Sequence, residues 1–504
     1  MMSEKNNVHE ISNLIKMYSS NFDKSCGETA IILAAGHGKR IKSHTSKMLH
    51  KIWGVPTVER VYDACRKGMQ NVNTIVVVGI KAEDVIQVIG NRKNTIFAHQ
   101  AEQHGTGHAV QVGLETFDNS DYEGVIYVLP GDMGLIDEAT IAMFKDAFKN
   151  SNNDMMVLTG LYEGDPLENS YGRIVRVKDT DKNGNPAGDD LNKVIEIIEY
   201  KDILAIGENE KYTLKFNGRD YEYSREELLN NNEFNSGVYA FKSNYLVDLV
   251  HKLSSDNAQK EIYITDLILL FNEAGLNVGA VYPEQQHVIM GFNNKSVLKE
   301  MGSIARHLVY EKIKDLIEIE DPDDFYIDET VIDSIIALDK KGIPLDIKLG
   351  KGVYIGKGVK LNYNLTINKN VYINGNVHFG KNVSISQNAY LSTFPEQTLK
   401  IEDNVQILWG DIIKGNIEIG EGSKIESSVN MTGSDEFPLR IGKNVQIKGT
   451  SYIFGSIIDD DIIIEHSVII KKRVDKLVKK NGMVQNIKYF LPMPEGIDTI
   501  SDLQ

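Results

Sequence analysis

From Ile347 an apolar residue returns at every sixth position, through Val353, Val359, Leu365, Val371, Val377, Val383 and Ala389. A second apolar residue stands two places after each, from Leu349 and Ile355 to Ile385 and Leu391. Glycine and asparagine crowd the gaps, as in "IGKG", "INKN" and "INGN". Neither a helix nor an ordinary strand has this period. A three-residue strand with two inward side chains, followed by a corner, does, and glycine and asparagine tolerate corner dihedrals. The pattern predicts a parallel β-helix. It breaks at "TFPEQT" and "TGSDEFP", expected to protrude as loops, resumes at "LRIGKNVQIKG", and fades near Lys472. Residues 347–472 are therefore assigned to the coil. Residues 473–504 form a tail expected to begin with a short basic helix.

The chain upstream follows a different pattern. "AIILAAG", "TIVVVGI" and "GVIYVLPGD" are apolar runs bounded by glycine or polar residues. Such runs suit parallel strands buried on both faces. Helical patterns lie between them, so residues 29–294 read as an open α/β sheet. Two stretches look inserted: a turn-rich loop at 179–190, and a hairpin with a short helix at 207–232. Residues 295–346 read as a long connecting helix and a linker. Residues 1–28 read as a polar extension with one amphipathic helix (Ile11, Leu14, Ile15, Met17), expected to lie on the surface or fray. The chain has no apolar run long enough for a membrane span, and its N-terminus lacks the apolar core of a signal peptide. Cys26 and Cys65 cannot form a disulfide framework and fit a reducing cytoplasm. A formal charge of -16 weighs against nucleic acid and bulk membrane as partners.

Within this acidic chain, Ala30–Lys51 contains five Lys or Arg and no acid, just after a strand and a glycine turn. A dinucleotide fingerprint would need glycine where Ile41 stands. A P-loop would need glycine at Leu33 and Ser or Thr at Arg40. A glycine turn with downstream cations remains, able to cradle phosphate on backbone N–H groups or to serve as a solvated basic loop.

The stretch "LAAGHGKRIKS…SKMLHKIWGVP" resembles the glycine-rich signature of sugar-nucleotide pyrophosphorylases, most closely the bacterial N-acetylglucosamine-1-phosphate uridyltransferases. Further segments match that family in order: "HQAEQHGTGHAV", "VIYVLPGDMGLI", "NSYGRIVR", "EIIEYKDI", "EFNSGVYAF", "EIYITDLI" and "GFNNKSVL". The departures are Lys39 for threonine, Ile41 for methionine, Ser46 for proline, His104 for a pocket-wall leucine and Gly134 for proline. The resemblance implies a Rossmann-like, glycosyltransferase-A-like nucleotidyltransferase domain followed by a left-handed parallel β-helix. It places nucleotide at Leu33, Ala35, Gly36, Gly38, Gln100, Gly105 and Thr106, and sugar at Gly172, Glu199 and Asn235. Mg²⁺ falls to Asp132 and Asn293, catalysis to Arg40 and Lys47, and a structural role to Asp266.

The same resemblance implies uridylyl transfer from UTP to N-acetylglucosamine 1-phosphate, releasing pyrophosphate, for cell-envelope precursors made in the cytoplasm. Family members trimerise through the coil, so a homotrimer without membrane insertion is expected. The family's second activity, acetylation of glucosamine 1-phosphate from acetyl-CoA, has a signature that does not appear here. His378 and His466 are the histidines of the repeats, expected to be solvated side chains. The alternatives are a bifunctional enzyme, a nucleotidyltransferase for another hexose 1-phosphate, and a scaffold that only senses sugar nucleotides.

Overall fold

A computed structural model describes residues 2–36, 38, 41–257 and 260–489. The chain divides into two compact units, 1–302 and 303–504.

Among the described residues of the first unit, nine strands form one sheet. They are β1 (Glu28–Ala34), β2 (Val72–Val78), β3 (Thr95–His99), β4 (Val125–Pro130), β5 (Met155–Leu161), β6 (Arg173–Arg176), β7 (Val194–Ile198), β8 (Glu233–Lys242) and β9 (Val278–Val281). The order is β9-β5-β8-β4-β1-β2-β3, with β6 joining β8 to β7. β1 runs parallel to β2 and β4, whereas β8 is antiparallel to β4 and β5. Alternation along β1 feeds two cores. Ala30, Ile32 and Ala34 join one apolar cluster, and Ile31 and Ala35 join the other. This is why "AIILA" is apolar throughout: both faces of the strand are covered. The carboxyl ends of β1 and β4 open where the strand order reverses, the usual ligand position in such sheets.

Helix α1 (Met2–Tyr18) is not a frayed arm. Ile11 is buried in the core, and Leu14, Ile15 and Tyr18 pack against it. Just beyond the helix, Ser19 Oγ accepts the Phe97 N–H, and the Ser20 N–H donates to the Thr95 carbonyl. The extension thereby satisfies backbone groups of edge strand β3 that would otherwise need water. Segment 207–232 contains the hairpin Lys211–Phe216/Arg219–Ser224 and the helix Arg225–Asn230, which opens on a Ser224–Glu227 capping box.

The second unit is a three-sided parallel coil, with sheets of eight, eight and six strands among the described residues. Ile347 pairs with Leu365 and Leu365 with Val383, so these coils each span three hexapeptides, the period expected for the left-handed form. Both apolar residues of each repeat are buried along the eight matches. Corner asparagines take positive φ, for example Asn382 at 57° and Asn404 at 60°. Their amides form a ladder, Asn364 to Asn382 at 2.8 Å and Asn382 to Asn404 at 3.0 Å.

Two parts of this unit differ from expectation. Glu318–Ile319 and Phe325–Ile327, in the expected linker, pair with the strands at 347–349 and 353–355. The coil thus starts earlier, and helix Glu329–Asp339 interrupts the repeat that would have revealed it. The tail does not begin with a basic helix. Arg473–Val474 is a coil strand, and the chain then turns into a hairpin closed by the Val478–Val484 bridge. The Asn481-Gly482 pair, with Gly482 at φ +83°, favours that turn over a helix.

Candidate active site

A cavity of about 660 Å³ opens at the carboxyl ends of β1 and β4, beside the amino-terminal part of the antiparallel β8. Of the residues expected at a site, Leu33, Ala35, Gly36, Gly38, Lys47, Gln100, Gly105, Thr106, Glu199, Asn235 and Asn293 line it. Arg40 and its neighbour Lys39 lie outside the described residues. Asp132 and Gly172 stand immediately behind the wall, each touching a lining residue as described below.

One wall is the glycine turn. Gly38 has φ +56°, and a Cβ there would sit 2.8 Å from Lys47 Cβ. The turn therefore needs glycine both for its dihedral and for the approach of Lys47. Lys47 is largely buried and forms an ion pair with Asp132, also largely buried. Its Nζ also donates to Asn293 Oδ1 at 2.9 Å and lies 5.4 Å from the Phe292 ring centroid. Asp132 follows the end of β4, whereas Asn293 lies 161 residues further on just before the helix Lys295–Ile313. Two oxygens from distant elements thus converge on one cation.

A second wall is the loop from β3 into α2 (Thr106–Leu114). Gln100 is buried, and its Nε2 donates to the Gly105 carbonyl at 3.1 Å and meets His108 Nδ1 at 3.1 Å. Gly105 has φ +118°, and a Cβ would lie 2.4 Å from the Ile262 carbonyl oxygen. Thr106 Oγ1 accepts the Ile264 N–H at 3.2 Å. His104, expected in the pocket wall, is half-exposed and pairs with Glu102 at 2.8 Å instead. An imidazole can be solvated there, so it need not fill the position of a buried leucine.

The third wall joins β6, β7 and β8. The Asn235 N–H donates to the Gly172 carbonyl at 2.9 Å. A Cβ on Gly172 would come within 3.2 Å of Glu199 Oε1. Asn235 Oδ1 accepts from the Gly237 N–H and from Tyr239 Oη, each at 2.9 Å. Burial, reinforced by Asp202 and Asp266, pushes the Glu199 carboxyl up to about 7. Burial and Asp202 push Asp266 up to about 6.

The sequence reading missed Gln103, Tyr239, Glu261 and Thr265, which also line the cavity. Thr265 is buried, and its hydroxyl has no hydrogen-bond partner among the described residues. Its position beside Asp266, in a segment already matched to the family, was the available signal.

The oxygens of Asp132 and Asn293 suit a hard divalent ion that keeps waters and takes substrate oxygens as further ligands. No cluster of three or more His, Cys, Asp or Glu capable of holding a metal occurs among the described residues. In the coil, His378 Nε2 meets Asn376 Oδ1 at 2.7 Å and His466 Nδ1 meets the Gly449 carbonyl at 2.8 Å.

Fold and site together define a nucleotidyltransferase-type α/β domain followed by a β-helix. Residues 30–179 match the MobA-like NTP transferase domain. A bifunctional protein GlmU of Acetivibrio thermocellus is 34% identical over 312 residues, covering 61% of this chain and 59% of the relative. A bifunctional protein GlmU of Clostridium botulinum is 33% identical over 300 residues, covering 59% and 56%. The match thus spans under two thirds of the length of these relatives. Among solved structures, the inositol-1-phosphate CTP transferase of T. maritima aligns with TM-score 0.36 and 13% identity over 56% of this chain and 97% of that one. Over about 60% of its length the chain is thus similar to bifunctional GlmU proteins, and within it residues 30–179 form a nucleotidyltransferase-type domain.

Proposed function

We propose that the α/β unit transfers a uridylyl group from UTP to N-acetylglucosamine 1-phosphate, yielding UDP-N-acetylglucosamine and pyrophosphate. The observation that carries this reading is the convergence of Lys47, Asp132 and Asn293 between two walls of different chemistry. On one side Gln100 and Gly105 offer amide and backbone groups to a base edge. On the other, Gly172, Glu199 and Asn235 offer a close backbone approach and polar groups to a sugar.

The phosphate oxygen of the sugar phosphate attacks the α-phosphorus of UTP, and the bond to the pyrophosphate oxygen breaks. The attacking group is already ionised, so no general base is assigned. The chain's task is to align two polyanions and neutralise their charge. Asp132 and Asn293 would hold Mg²⁺, which would supply charge neutralisation for the phosphates. Lys47 supplies a point charge beside the same phosphates. The resemblance gives Arg40 the outgoing pyrophosphate. Backbone N–H groups at Ala35, Gly36 and Gly38 would complete the nucleotide cradle, with Leu33 lining it.

For the coil we propose self-association into a homotrimer, supported by its exposed apolar residues Tyr390, Ile412 and Tyr452 on one sheet. A cytoplasmic location is proposed as well. No described helix is long and apolar enough to cross a membrane. The name of the relatives favours a second reading, in which the coil also acetylates glucosamine 1-phosphate. The test is pyrophosphate release with Mg²⁺, UTP and either N-acetylglucosamine 1-phosphate or glucose 1-phosphate, beside thiol release from acetyl-CoA with glucosamine 1-phosphate. Release with the N-acetyl sugar alone supports the primary reading. Thiol release establishes the bifunctional one. Preference for glucose 1-phosphate moves the site to another hexose, and silence from folded protein favours the sensing scaffold.

A further inference from the structure

The end of the coil departs in charge from the rest of the chain. Residues 471–489 contain seven Lys or Arg and a single acid, Asp475, in a chain of formal charge -16. They also form a defined protrusion. The Lys479 N–H donates to the Met483 carbonyl at 2.8 Å, and the Gln485 N–H to the Leu477 carbonyl at 2.7 Å. The tip is Lys479-Lys480-Asn481-Gly482, closed by the Gly482 N–H on the Lys479 carbonyl at 2.9 Å. The base is clamped to the last coil, where Ile487 exchanges backbone hydrogen bonds with Ile463 and Glu465, each at 2.8 Å.

This hairpin leaves its apolar residues outside. Leu477, Val478 and Met483 are 61%, 53% and 60% exposed. Solenoid ends ordinarily present a polar cap, because apolar surface there invites association. Lys472, Lys479 and Lys480 have no ion-pair partner among the described residues, whereas Lys476 is held by Asp461 and Lys488 by Glu465. Three exposed apolar side chains therefore stand beside Lys479 and Lys480 at one hairpin tip, with Lys472 near its base, none of the three lysines having an ion-pair partner among the described residues.

We propose that this hairpin docks the protein reversibly on an anionic phospholipid surface. Lysines beside a negatively charged leaflet are attracted within a Debye length, and apolar side chains partition into the headgroup–acyl boundary. Charge complementarity favours this occupant over a second copy of the hairpin, which would bring lysine against lysine. The exposed apolar trio favours lipid over a soluble polyanion, whose phosphates have no use for it. Nothing inserts across the bilayer: the contact is peripheral and opposed by salt.

The test is flotation of the full chain with vesicles of phosphatidylcholine alone or of equal parts phosphatidylcholine and phosphatidylglycerol. The expected result is flotation with the mixed vesicles, none with phosphatidylcholine, and release by salt near ~0.5 M. One lysine at an anionic surface contributes about fivefold in partitioning, so K479E/K480E should lose on the order of 100-fold or more. L477S/V478S/M483S keeps the charge and should also lose binding. Light scattering and thermal melting check mass and fold of both variants. The proposal is overturned if the parent chain does not float, floats equally on phosphatidylcholine, or if both variants float as well as the parent. It is also overturned if RNA competes the protein off in preference to lipid, or if the variants change oligomeric mass, which would make the hairpin a nucleic-acid or subunit contact.

Discussion

Asp411 is fully buried in the coil, at an inward position where neighbouring coils carry Ala389 and Val429. Its Oδ1 accepts the Val429 N–H at 2.8 Å, while its Oδ2 has no partner among the described residues. Burial pushes this carboxyl from 3.8 up to about 8, against the opposing pull of backbone N–H groups. Between those two values the folded chain holds a proton that the unfolded chain has released. The folded state then binds more protons, so stability falls as pH rises through this window. The effect is complete above the folded value and absent below the unfolded one. At about 1.4 kcal/mol per pKa unit the full span has a ceiling near ~6 kcal/mol. Relaxation and water entry around a buried charge bring the expected loss to roughly half of that. Asp411→Asn retains an oxygen for the Val429 N–H and removes the titration. The assay is thermal unfolding of the parent and the variant in parallel from pH 4 to 9. The difference between the two curves isolates Asp411 from other carboxylates. The variant should gain steadily on the parent as pH rises, by on the order of 5–10 °C for a unit of this size. Parallel curves across the whole range would show that Asp411 ionises freely and would refute the reasoning.

Gly105→Ala should cost more than the ~1 kcal/mol typical of a point change, because φ +118° and the Ile262 carbonyl at 2.4 Å both oppose a Cβ. Calorimetry with UTP should show binding weakened at least tenfold. With the Glu199 carboxyl near 7, raising pH through neutrality adds negative charge beside an anionic acceptor. KM for the sugar phosphate should therefore rise from pH 6 to pH 8, and Glu199→Gln should flatten that rise. Ile11→Ala should destabilise the α/β unit by about 2–4 kcal/mol, since the side chain is buried in its core. A melting temperature within error of the parent would return α1 to the status of a surface arm.

The parts legible in the sequence were those where one local rule governs many residues. The six-residue beat located the coil because each repeat buries the same two positions, and corner asparagines advertised their φ. β1 and β4 were legible because both of their faces are covered. The first coil was not, since Glu318–Ile319 and Phe325–Ile327 are separated from the repeat by helix Glu329–Asp339. The basic tail was misread because lysine spacing resembles a helix face, whereas Asn481-Gly482 closes a hairpin. Site residues were legible only through motifs. The partners each side chain meets depend on elements far apart in sequence, as with Lys47 and Asn293.

That pairing has a consequence for the site's electrostatics. Lys47 and Asp132 are only 13% and 12% exposed at their side chains, so each desolvated charge depends on the other. Removing one member of such a pair leaves the other uncompensated, at a cost of about 3–5 kcal/mol. Lys47→Ala should therefore lower the stability of the α/β unit, and its kcat should fall on the order of 100-fold or more, as when one transition-state donor is lost. Asp132 and Asn293 would still present their oxygens to one point. A divalent ion can neutralise Asp132 there, so Mg²⁺ should restore part of the lost stability in the variant and do less for the parent, where Lys47 already balances the charge. Thermal melting against Mg²⁺ concentration separates these effects from turnover. Equal Mg²⁺ responses in the two proteins would mean that Lys47 and the ion do not compete for the same carboxylate. Near-normal turnover would remove Lys47 from the chemistry, leaving the basic stretch after the glycine turn to Arg40 and its neighbours.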